Sequence, residues 1–146
     1  MKQVKTNKEV LTVESSLQHI VQSILSNYQG MADAQNSFFV NQVPPTLCLT
    51  ADKSVVSSLL SNLFSVIANY CKNTRIRISA KAYHDIIVMH IKDTSISDNH
   101  IMLSELQGIQ TGADKIGGFL EVTSQRKKET TIAFSFINQP VQHHSY

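Results

Sequence analysis

Histidine is the residue type in this chain best suited to proton or phosphoryl transfer, and the sequence contains six of them. His84 falls in a predicted turn and His90 on a predicted strand, and no pair of carboxylates stands near either. General acid–base catalysis needs groups within hydrogen-bonding reach of one another, and this spacing supplies no such pair. His143 and His144 lie in a polar tail, where they could bind a stray metal ion without structural meaning. The histidines by themselves therefore indicate no catalytic site.

Serine and cysteine chemistry also lacks a supporting pattern. No serine occupies the G-x-S-x-G turn that exposes a nucleophile at the end of a strand. Cys48 and Cys71 have no metal-like spacing and no companion histidine motif. A single disulfide is open to them, but we predict two buried, reduced thiols.

The composition is that of one globular domain. The chain has 146 residues, of which 42% are apolar and 16% charged, with a net charge of +2. This balance supports a packed core and excludes a disordered chain. The tight basic cluster at residues 126–128 predicts a solvated hairpin turn, so we expect no nucleic-acid partner.

No apolar stretch approaches the roughly 20 residues that a membrane span requires, and the polar start does not resemble a signal peptide. We therefore expect no direct membrane insertion and a cytoplasmic, bacterial location, while a membrane-anchored parent protein stays open.

Apolar residues at helical spacing predict three helices. The first begins at Val10 and ends at Gly30; the second runs from residue 51 to about Tyr70, with Thr50 or Asp52 as its cap. The third is weaker, covers residues 98–116 and ends at Gly117-Gly118.

Between the helices the apolar period changes to two, which predicts strands. Pro44 and Pro45 lack the N–H of a ladder, so the strand before them should be short or lie at an edge. The predicted strands cover residues 38–43, 47–50, 74–80, 86–91, 119–123 and 130–137.

This order of elements predicts an α+β fold, a two-layer α/β sandwich with about three helices on one face of a mixed, mostly antiparallel sheet. We predict a polar tail or linker at 1–9, one domain at 10–138 and a polar tail at 139–146.

Four pieces of the sequence, in order, resemble the GHKL ATPase family, which includes the catalytic ATP-binding domains of sensor histidine kinases. Asn62, Leu63 and Tyr70 match a helix motif that reads roughly NLLxNAxKY, and Asp93 ends the strand that follows. Gly117-Gly118 and Thr130-Thr131 match the family's last strands. The similarity runs from about Val10 to Ile137 and implies a Bergerat-type sandwich that ordinarily binds ATP and Mg²⁺.

At the metal position the sequence departs from the family. The second asparagine of the helix motif, which orients Mg²⁺, corresponds to Val66, and Val66 has no oxygen ligand to offer a hard cation. Asn62 lies one turn earlier, so a shifted ligand stays open beside a capping or packing role.

At the adenine position Asp93 is kept, and the resemblance implies that its carboxylate accepts the adenine amino group. Without the resemblance, an aspartate here is an ordinary turn or cap residue. The two glycines expected after it are Ser95 and Ser97, and their Cβ atoms predict a narrower pocket floor.

At the phosphate position the family has a glycine-rich loop and an ATP lid. Counting back from Gly117, the loop falls on Leu103–Leu106, where no glycine remains and Glu105 brings a negative charge. The segment between Asp93 and Gly117 is much shorter than in the family, which implies that the lid is deleted.

These departures predict a catalytically degenerate domain that acts as a protein-interaction or regulatory module in two-component-type signalling, with no cofactor and a receiver or phosphotransfer domain as partner. The vestigial nucleotide-pocket positions are Asn62, Val66, Asp93, Ser95, Ser97 and Thr130. Two alternatives stay open: a residual ATP-binding domain with Mg²⁺ that uses Asp93 and Thr130, and an unrelated sandwich with another strand order.

Overall fold

The computed structural model describes residues 16–93, 100–124 and 129–140. Three helices pack on one face of a five-stranded sheet whose strand order is β1-β2-β3-β5-β4. The elements are α1 Leu17–Ala34, β1 Phe38–Asn41, α2 Lys53–Tyr70, β2 Arg75–Tyr83, β3 Ile86–Asp93, α3 His100–Ala113, a 3₁₀ turn Asp114–Ile116, β4 Phe119–Ser124 and β5 Thr130–Ile137. β1 pairs with β2 in parallel, and the pairings β2–β3, β3–β5 and β4–β5 are antiparallel. The predicted α+β sandwich with a mixed, mostly antiparallel sheet is confirmed.

The sheet has one face under the helices and one open face. Ile76 and Ile78 of β2, and Ile87 and Met89 of β3, point toward the helices and are fully buried in the core. Residues between them point to the opposite side, which we call the open face because no helix of the described ranges covers it. The burial of every second residue along β2 and β3 thus matches the apolar period of two from which these strands were predicted.

The helix boundaries follow local capping chemistry. Asp52 caps α2, since its Oδ1 accepts bonds from the N–H groups of Ser54 at 2.9 Å and Val55 at 3.2 Å. The first helix starts at Leu17 behind Ser16, so a start at Val10 is wrong, and residues 1–15 lie outside the described range.

The prediction that Gly30 ends the first helix is also wrong. The helix continues to Ala34, and the chain turns at Asn36, whose φ is 58°. The Asn36 N–H donates to the Asp33 carbonyl at 2.9 Å, which closes the last turn. A glycine in mid-helix costs only about 1 kcal/mol, which packing of the apolar face outweighs.

The strand predicted at residues 47–50 is reduced to a single antiparallel bridge between Ser16 and Cys48. The Leu47 carbonyl accepts from the Leu17 N–H at 3.0 Å, whereas the Asn138 side chain accepts from the Thr50 N–H at 2.7 Å and donates to the Cys48 carbonyl at 3.0 Å. Cys71 is buried as predicted, but Cys48 is exposed, so the prediction of two buried thiols is half wrong.

The other predicted elements are close to those observed. β1 is a four-residue edge strand, as its two following prolines predicted, and the third helix ends in a 3₁₀ turn before Gly117. The predicted basic turn at 126–128 lies outside the described residues. Within the described chain, no helix has both the length and the apolar character needed to cross a bilayer.

Candidate functional site

Asp93 and Thr130 meet at one end of the sheet. Asp93 is the last residue of β3, Thr130 is the first of β5, and the two lie directly opposite each other in the ladder. Their exposed fractions are 3% and 2%, on the side of the sheet that faces the helices. A carboxylate that accepts hydrogen bonds thus stands beside a hydroxyl that can donate or accept. Ser95 and Ser97, also predicted as pocket positions, lie outside the described residues.

Asn62, Val66 and Tyr70 occupy successive turns of α2 and therefore share one face of that helix. Asn62 is exposed, whereas Val66 is half-buried and packs against the core. The predicted metal position thus carries only methyl groups, with the Asn62 amide one turn away. Among the described residues, no cluster of three histidine, cysteine or acidic side chains could hold a metal ion.

Helices α2 and α3 form an antiparallel seam. At one end, the Tyr70 hydroxyl donates a hydrogen bond to Glu105 Oε1 at 3.1 Å. At the other end, Gly112 lies so close to α2 that an added Cβ would stand 2.9 Å from Leu59 Cδ2. The seam is therefore closed by direct contact at both ends.

The residues at the expected phosphate-loop position are helical. α3 begins at His100 and runs without interruption through Leu103–Leu106, with Met102 and Leu106 fully buried. The N–H groups of Ser104, Glu105 and Leu106 lie past the first four residues of the helix, so they bond to carbonyls of their own helix. They do not form the exposed cradle of N–H groups that a triphosphate needs.

The Gly117-Gly118 pair is required by the backbone between α3 and β4. Gly117 has a φ of +63°, a conformation that costs other residues energy. A Cβ on Gly118 would lie 2.9 Å from the Ala113 carbonyl oxygen and 3.1 Å from that of Ser135. Gln110 then fixes the edge of the sheet, because it accepts from the Leu120 N–H at 2.6 Å and donates to the Gly118 carbonyl at 3.2 Å.

Burial, the hydrogen bond to Glu105 and the negative charge of Glu105 all raise the pKa of the Tyr70 hydroxyl. The neutral phenol is therefore favoured in the folded protein. Its contribution to stability is complete below the ordinary tyrosine pKa and is lost as the pH rises through the raised pKa.

Replacing Glu105 with glutamine is expected to lower the Tyr70 pKa while leaving it above normal, because the charge is removed and the burial stays. NMR titration with tyrosine labelled at the ring carbon bearing the hydroxyl measures this pKa directly. Glu121→Gln, on the open face, is the control and should leave Tyr70 unchanged. An unchanged pKa in Glu105→Gln would mean that the two side chains do not interact in solution.

No family model matches this sequence, and no curated protein matches it. Solved structures do. The catalytic domain of histidine kinase ThkA is 14% identical, with a TM-score of 0.64, over 85% of this chain and 93% of that one. Histidine kinase AdeS of Acinetobacter baumannii is 12% identical, with a TM-score of 0.70, over 84% of this chain and 65% of that one. A histidine kinase of Burkholderia phymatum is 10% identical, also with a TM-score of 0.70, over 93% and 78%.

The chain has the fold of a histidine-kinase catalytic domain. This similarity over most of the chain sets aside the alternative of an unrelated sandwich. At these identities the likeness concerns the fold, and what the histidine-kinase-like site does is a separate question. The assignment of Asp93 and Val66 to a vestigial nucleotide pocket stays a prediction, and the sequence analysis missed the Tyr70–Glu105 hydrogen bond and the role of Gln110. A signal for the Tyr70–Glu105 bond was present in the sequence, since Glu105 was an unexpected negative charge at the expected phosphate position.

Proposed function

We propose that this chain is a histidine-kinase-like domain that has lost ATP chemistry and serves as a protein-interaction or regulatory module in cytoplasmic, bacterial two-component-type signalling. The observation that supports it most strongly is the seam between α2 and α3. A continuous helix runs through the phosphate-loop positions, and Glu105 is hydrogen-bonded there to Tyr70. Phosphoryl transfer depends on positioning and on stabilising negative charge, and a carboxylate at this place opposes both.

An exposed apolar side chain beside the seam between α2 and α3 supports the interaction role. Ile101 is 64% exposed, the largest exposed fraction among the large apolar side chains described. It lies one turn before Glu105, so the two share a face of α3. An apolar side chain next to an acidic one suits a protein interface with an apolar centre and polar rim. The proposed partner is a receiver domain or a phosphotransfer domain.

The first test measures the melting temperature of the chain with ATP or ADP at about 5 mM, each with and without Mg²⁺. A site with a Kd of about 0.1 mM would stabilise the fold by about 2 kcal/mol and raise the melting temperature by several degrees. We expect no shift, with an active histidine-kinase catalytic domain as the positive control. A Mg²⁺-dependent shift would contradict the proposal.

A residual adenine site is the second candidate function, because Asp93 and Thr130 are kept together and buried. Its signature is a nucleotide-dependent shift that does not require Mg²⁺ and disappears in Asp93→Asn. That outcome would favour nucleotide sensing in place of a nucleotide-independent module.

The proposed binding to a partner is tested by calorimetry, in which purified receiver and phosphotransfer domains are titrated into the chain. We expect Ile101→Ser to weaken binding at least about tenfold with an unchanged melting temperature, since a central apolar contact contributes more than about 1.4 kcal/mol. Met31→Ser is the matched control, because Met31 is also an exposed apolar residue (40%) but lies on α1. Equal effects of the two variants would place the partner elsewhere.

A further inference from the structure

Four large apolar side chains gather at one end of the open face. Tyr83, Ile86, Phe119 and Ile137 are 54%, 41%, 57% and 42% exposed, and we call them the open-face patch. At roughly 200 Å² for each large apolar side chain, their exposed halves amount to about 400 Å². That is the size of the largest apolar patch on a typical monomer, and such patches commonly mark interaction surfaces.

The ladder register brings these side chains together. Tyr83 is paired with Ile86, and Ile86 is paired with Ile137 on its other side. Phe119 is paired with Ser135, one row along from Ile137 on the same face. The patch therefore crosses β2, β3, β5 and β4, the four strands linked by antiparallel pairings.

The charges of the open face are divided between its two sides. Lys81 lies on β2 and Glu121 on β4, and neither forms an ion pair within the described residues. Further along the face, Glu129 already forms ion pairs with Arg77 at 2.7 Å and with Lys92 at 3.9 Å. One side of the face thus offers a cation, and the other side an anion, that has no ion pair among the described residues.

We propose that the open face binds the open face of a second copy of this chain, about a two-fold axis that runs along the strands between β3 and β5. This axis places β2 against β4 of the second copy and β3 against its β5. Ile86 then faces Ile137 of the second copy, and Lys81 comes within side-chain reach of Glu121 of the second copy. Both contacts occur twice, as a two-fold interface requires.

The area of the face sets the strength of the dimer. The four strands that meet their counterparts, β2 to β5, are spaced about 4.8 Å apart and about eight residues long on average, so they cover roughly 500 Å². A standard interface uses about 800 Å² per partner, so this contact falls at the weak end of the range. We expect a dissociation constant on the order of 10 µM.

Sedimentation equilibrium from about 1 to 500 µM measures this association on the full chain. We expect a monomer–dimer equilibrium, with Phe119→Glu weakening it at least about tenfold. Tyr83→Ser should act in the same direction, and melting temperatures recorded at low concentration establish that both variants fold. A monomer throughout the concentration range, or a dimer that survives Phe119→Glu, would overturn the proposal.

A charge exchange tests the orientation of the two copies. Lys81→Glu and Glu121→Lys should each weaken the dimer about fivefold to tenfold, and the double variant should restore it to within about threefold. Lys53→Glu, an equal change of charge at an exposed residue of α2 in the helix layer, should have no effect. If the double variant is weaker than either single variant, the two-fold arrangement is wrong.

Discussion

Replacing Phe64 with alanine is expected to lower the free energy of unfolding by about 3–5 kcal/mol. Phe64 is fully buried on α2, and its ring lies 6.1 Å from that of Phe39 on the edge strand β1. The truncation removes contacts to the sheet and leaves a cavity that the surrounding residues fill only in part. Because a domain of this size has a total stability of about 5–15 kcal/mol, a large share of it is lost. Urea unfolding followed by circular dichroism measures the change.

Phe38→Ala is the matched control for this prediction. Phe38 is the neighbour of Phe39, but its side chain is 48% exposed on the open face, with the Arg75 guanidinium 5.6 Å from the ring centroid. Its truncation removes half-solvated contacts and a cation–π interaction, which together contribute about 1 kcal/mol. Equal losses in the two variants would show that the α2–β1 contact is not central to the core.

The strands could be predicted from sequence because their chemistry is local. In β2 and β3, alternate residues are apolar, and a half-buried antiparallel strand requires this pattern over its whole length. The turn between them is two residues long. His84 has a φ of 56° in this turn, and the sequence did not predict this left-handed conformation. The fold class followed from the order of such segments.

The ends of α1 and the segment before α2 could not be predicted in the same way. Gly30 is a common stop signal, yet the turn that ends the helix depends on Asn36, whose side chain donates to Asn73 Oδ1 at 2.9 Å. Residues 47–50 had strand composition, but the Cys48 carbonyl accepts its hydrogen bond from the Asn138 side chain, 90 residues away. Long-range polar contacts of this kind leave no periodic trace in a sequence.

In the candidate site, too, residues within one sequence motif could be predicted, whereas contacts between distant residues could not. Val66 and Asp93 could be proposed as pocket positions because each belongs to a motif at fixed spacing within one element, and their role stays a prediction. The bond between Tyr70 and Glu105 joins residues 35 positions apart, and it exists only because α2 and α3 pack in antiparallel directions. A residue-by-residue comparison could register an unexpected carboxylate at position 105, but not the hydroxyl that it binds.

The Asn138 side chain offers the second large effect, because it joins the end of β5 to the segment that leads into α2. Its Oδ1 accepts from the N–H groups of Thr50 at 2.7 Å and Ala51 at 3.1 Å, and its Nδ2 donates to the Cys48 carbonyl at 3.0 Å. Asn138→Ala removes all three bonds at once. At about 0.5–1.5 kcal/mol for each bond, we expect a loss of about 2 kcal/mol, measured by urea unfolding.

Two further variants separate this network from a general effect of the chain terminus. Asn138→Asp keeps an acceptor for the two N–H groups but loses the donor, so it should cost about 1 kcal/mol, less than the alanine variant. Gln139→Ala removes one exposed bond to Asp85 and should cost under about 0.5 kcal/mol. If Asn138→Ala costs no more than Gln139→Ala, the segment before α2 is positioned by its own packing and not by Asn138. Hydrogen exchange at Thr50 and Ala51 then provides the decisive reading, since these two N–H groups lose protection only if Asn138 protects them.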